Sequence, residues 1–148
     1  MPTPLPHDPS TERPRRTGRT GPQPVSVWLD ELRRLGLLTR GQPRCDIDCL
    51  CSRLHAEPGQ PVETCALAFL RAISAAIGRP VVMHRPGARQ TSFDEAWILR
   101  ILSALKAEDW DSLAFNLGAR LPRGSRSRIR FLAGSLAAHV DFGDRTPT

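Results

Sequence analysis

The chain has 148 residues and a formal net charge of +6, long enough for one domain with a core of ordinary size. Its longest unbroken apolar run, residues 65–70, is far short of the roughly 20 residues a membrane helix needs. The opening Met-Pro-Thr-Pro-Leu-Pro-His-Asp-Pro offers no apolar core for a signal peptide, so the expectation is a cytoplasmic protein without a membrane partner.

The charge is unevenly placed. Residues 1–24 carry +2, residues 25–117 carry 0 and residues 118–148 carry +4. Basic ends around a neutral middle suggest a polyanionic partner. Twenty of the 21 basic side chains are Arg, a bias that a GC-rich genome also produces, so part of this charge serves solubility alone.

Residues 1–24 hold seven prolines and almost no apolar side chains. They bury too little surface to offset the entropy of ordering, which predicts a disordered tail. Ser26 is placed to cap a short helix over 26–35, with Val27, Trp28, Leu32 and Leu35 inward and Gly36 as its stop. Pro43 and Pro58 then bound a helix within 45–56. A clearer helix spans 62–77, with Ala66, Phe69, Leu70, Ile73 and Ile77 on one face and Gly78 as a left-handed stop. Val81, Val82 and Met83 form a short extended piece or a loop.

Ser92 and Glu95 read as a capping box. The helix they open runs to Lys106, with Phe93, Trp97, Ile98, Ile101, Leu102 and Leu105 on one broad side. Asp109 opens a shorter helix carrying Leu113, Ala114 and Leu117 inward. After Leu121 and Pro122 a last helix covers 124–139, with Ile129, Leu132, Ala133 and Leu136 facing in. The sum is an all-α fold: a small single-domain orthogonal bundle of four to six short helices over 25–142, with a disordered C-terminus at 143–148.

Two clusters could carry chemistry. Cys45, Cys49, Cys51 and Cys65 are the only cysteines, and His55 follows Cys51 by four residues. Thiolates and imidazoles are zinc and iron–sulfur ligands, and a reducing cytosol leaves such thiols free or metal-bound. On a helix, however, Cys51 lies roughly 160° from Cys49, so one ion cannot gather all of them; a loop over 44–53 would be required. The opposing reading makes the thiols small core residues, which suits Cys65 beside Ala66, Leu67 and Phe69.

The second cluster is Arg120, Arg123, Arg126, Arg128 and Arg130. On a continuous helix all but Arg128 fall within about 120° of one another. A helix opening on Ser125-Arg126-Ser127-Arg128 presents amides, hydroxyls and guanidiniums, groups that suit phosphate. With the preceding helix it also has the outline of a helix-turn-helix.

Catalytic constellations are absent from the pattern: the four histidines are scattered, and no phosphate-binding glycine loop follows a strand. Trp28 and Trp110 stand near helix starts, where exposure would signal a protein interface. The leading expectation is a non-catalytic regulatory or adaptor protein that binds another macromolecule, most simply a protein, without a cofactor. The alternatives are a nucleic-acid-binding protein using the arginines of residues 120–130, and a zinc or iron–sulfur sensor using the cysteine cluster.

Overall fold

A computed structural model of the chain describes residues 24–42 and 46–140. The expected tails and Cys45 lie outside the described residues, apart from Pro24 at the start of the first helix. Among the described residues there are six helices and no strand: α1 (Pro24–Arg40), α2 (Ile47–Ala56), α3 (Val62–Ile77), α4 (Phe93–Ala107), α5 (Trp110–Arg120) and α6 (Arg123–Ala137). None is long and apolar enough to cross a membrane.

The apolar periodicities explain the packing. Cys65, Ala66, Phe69, Ile73 on α3 and Ile129, Leu132, Ala133, Leu136 on α6 are buried against one another at the centre of the bundle. Helices α1 and α2 pack on α3, while α4 packs on both α5 and α6. Trp97 and Ile98 of α4 fill the remaining core, and the indole Nε1 of Trp97 donates to the Asn116 carbonyl at 2.8 Å, tying α4 to α5. A buried indole with its N–H satisfied adds apolar area at no polar cost.

Capping sets most of the boundaries. Asp46 accepts from the Asp48 amide to start α2, and Ser92 with Glu95 forms the reciprocal box that starts α4. Asp109 accepts from the Ser112 amide to start α5. Gly78 ends α3 at φ 81°, a conformation that costs an L-residue about 1–2 kcal/mol. Gly78→Ala is therefore expected to lower the unfolding free energy by about 1 kcal/mol, read as a shift of the urea midpoint without a change in slope.

Five expectations are corrected. Helix α1 starts at Pro24 and runs through Gly36 to Arg40, so Ser26 is not its cap and Gly36 is not its stop. Gly36 instead makes room for a neighbour: a Cβ there would stand 3.0 Å from Met83 Sδ. Val27 and Phe93 are exposed rather than inward; Phe93 opens α4 at the bundle's edge, one turn before Trp97. Ala114 also faces solvent.

The long connection 78–92 has no regular structure, yet it is held by a polar clasp at the start of α4. Glu95 receives Arg33 Nε at 2.8 Å and Arg33 Nη2 at 3.0 Å, a two-point pair buried on both sides. The same carboxylate accepts from the His84 and Ser92 amides. Arg33 also donates to the Ala88 and Gln90 carbonyls. One guanidinium thus joins α1, the connection and α4. Beside it, Asp94 takes Arg79 through both oxygens at 2.7 and 3.0 Å. It also accepts from the Val82 amide and pairs with Arg120 at 2.9 Å, which brings in the end of α5.

Candidate functional site

Among the described residues the structure separates Cys49, Cys51 and Cys65. Helix α2 turns Cys49 to solvent and Cys51 toward α6, as a helix over this segment requires. His55 lies in the same groove as Cys51, its ring centroid 3.7 Å from that of Phe131. Cys65 is buried at the first turn of α3. Among the described residues no three His, Cys, Asp or Glu side chains converge to hold a metal ion.

The fold does create one thiol–imidazole contact that sequence spacing concealed: Cys65 Sγ stands 3.8 Å from His139 Nε2, 74 positions away. His139 Nε2 is also 3.2 Å from the Gln60 carbonyl. A carbonyl only accepts, so in the tautomer that bonds Gln60 the Nε2 atom donates and is not a base toward the thiol. Burial pushes both the Cys65 and Cys51 thiols up from their ordinary value, the opposite of an activated nucleophile.

The arginines divide into three groups. Arg120 belongs to the scaffold: it pairs with Asp94, and its side chain is only 15% exposed. Its Cζ lies 4.9 Å from the Phe93 ring centroid and 4.6 Å from that of Trp97. Arg128 points the other way, onto Asp48 of α2. Arg123, Arg126 and Arg130 share the flank of α6 that borders α5, within roughly 60° of arc.

That border has a defined order. Arg130 Cζ is 5.3 Å from the Trp110 ring centroid at one end. At the other, Arg126 donates through Nε to the Leu121 carbonyl at 3.0 Å, and its Cζ passes 3.7 Å from where a Cβ of Gly118 would sit. A Cβ at Gly118 would thus be in ordinary van der Waals contact with the guanidinium, which lies on α5. On α5, Trp110 is 50% exposed at the edge beside α6, and Phe115, about 140° further round the helix, is 74% exposed on the outer side. Sequence reasoning marked Trp110 but missed Phe115; its offset from the inward Leu113 and Leu117 was the available signal.

The face is electrically two-ended. Glu108, Asp109 and Asp111 are exposed at the start of α5. Asp109 is held below the usual carboxylate range by the hydroxyl and amide of Ser112, so it is anionic at neutral pH. The opposite end carries Arg123 and Arg126, while Arg130, over Trp110 beside the carboxylates, offsets part of their charge. Helix α6 has no acidic residue in its first turn, so Arg123 and Arg126 face the positive end of its own dipole, unrelieved by a local carboxylate. Helices α4 and α5 have the favourable polarity, acidic first and basic last.

Comparison with known proteins finds no counterpart: no family model, no curated protein and no solved structure matches the chain.

Proposed function

We propose that this is a non-catalytic protein that works by binding another macromolecule, and that the α5–α6 face is its docking surface. The observation that carries the reading is the pair Trp110 and Phe115, exposed on a helix whose inner side is fully packed. Burying two such rings in water-accessible positions is favourable only against a partner. Trp and Arg, the residues that dominate binding energy at protein interfaces, stand together here as Trp110 and Arg130.

A Trp110→Ala, Phe115→Ala double variant keeps the core intact because both rings lie outside it. Immobilised wild-type protein is expected to retain from an extract of its source cells a protein that this variant fails to retain. Identical retention by the two would remove the face from consideration. Should the purified protein instead bind an oligonucleotide with steep salt dependence, lost on replacing Arg123, Arg126 and Arg130 by Ala, the partner on α6 is a nucleic acid.

A further inference from the structure

We infer that the partner which fits this face is a second copy of the same chain, in a twofold pairing centred on Phe115. The inference rests on the docking reading above and adds the identity of the occupant. An isologous interface must be self-complementary: whatever one half offers, the other half must accept. The α5–α6 face meets that condition in three respects.

The first is charge. Glu108 and Asp111 mark one end of the face, Arg123 and Arg126 the other, and Phe115 lies between them in sequence and along α5. A rotation by half a turn about an axis through Phe115 exchanges position 111 with position 119, since each is four residues, or about 6 Å along the helix, from the centre. Asp111 of each copy then faces Ala119 of the other, beside the Arg126 that lies on Gly118, and Glu108 faces Pro122 beside Arg123, at both ends at once. An all-anionic or all-cationic partner would satisfy one end and be repelled by the other. Second, the most exposed large apolar side chain of the described residues, Phe115 at 74%, falls on the axis, where it meets its own mate. Third, Ala119 is exposed and lacks bulk, which leaves the rotated helix room beside the ring.

Sedimentation velocity of the purified protein over about 1 µM to about 1 mM tests this directly. The expected result is a concentration-dependent dimer. Phe115→Arg, folded as judged by its helical circular dichroism, is expected to weaken it by at least roughly tenfold. Arg123→Glu with Arg126→Glu, and separately Glu108→Arg with Asp111→Arg, should each yield a monomer, because like charges then meet at both ends of the homodimer. Mixed together, the two charge-reversed proteins should pair with each other.

A protein that stays monomeric throughout overturns the inference, as does a dimer indifferent to Phe115→Arg, or folded charge-reversed chains that fail to pair. If the protein is monomeric while its capture of an extract protein still depends on Trp110 and Phe115, the occupant is a different protein and the docking reading stands. If capture is also indifferent, both readings fall.

Discussion

Replacing Glu95 by Leu is expected to lower the unfolding free energy by about 3–5 kcal/mol, a large share of the total for a domain of this size. The carboxylate is wholly buried and holds the Arg33 guanidinium at two points. Its loss leaves a buried cation with one solvent-facing carboxylate, Asp30, and two carbonyls as company. The His84 and Ser92 amides lose their acceptor as well. Arg33→Met should cost a similar amount by stranding the anion. The double variant separates pair from parts: with both charges gone, its loss should be smaller than the sum of the single losses by at least about 1 kcal/mol. Equilibrium urea unfolding of the four proteins measures this cycle. Additive losses would mean that the two groups act independently, contrary to their geometry.

What could be read before folding was whatever the chain writes locally. Gly78 after an apolar stripe, the Ser92–Glu95 box and Asp109 before α5 each act within one turn, and the structure has all three. The same locality explains the misreadings. Gly36 carries the signature of a helix stop, and only the passage of Met83 reveals it as a point of close approach. Glu95 was legible as a cap but not as the partner of Arg33, because nothing local announces a contact across 62 positions. Asp94, next in the chain, was silent altogether; its partners Arg79 and Arg120 come from two other segments.

The arginine cluster shows the same limit from the other side. Periodicity grouped Arg120 with Arg123, Arg126 and Arg130, yet Arg120 is drawn inward by Asp94 and the two rings of α4. That withdrawal is useful to the face. It anchors the end of α5 to the clasp, so the exposed side of α5 is presented on a fixed element rather than a loop.

Acidification is expected to destabilise the protein through the same clasp, and the direction follows from its two carboxylates. Hydrogen bonds from Arg79, the Val82 amide and Arg120 hold Asp94 at about 2, below its ordinary 3.8. Burial alone would raise Glu95, but Arg33 and the Ser92 and His84 amides outweigh it and keep it below the usual value. A group depressed on folding stabilises the native state at every pH above its unfolded value. That stabilisation fades as the pH falls through the folded value, because the native state must then take up protons against its own hydrogen bonds. For Asp94, which is 2% exposed, the window runs from about pH 4 down to about pH 2 and the contribution is about 2 kcal/mol. Glu95 adds to it in the same direction. The arginines remain charged throughout, so protonation leaves three guanidiniums gathered around neutral acids. Urea midpoints measured at steps from about pH 7 to about pH 2 should therefore hold steady and then drop steeply below about pH 4. Asp94→Asn, which cannot titrate there, should begin lower at neutral pH and lose less on the way down. An Asn variant that follows the wild-type acid limb at constant offset would place the acid sensitivity somewhere other than this clasp.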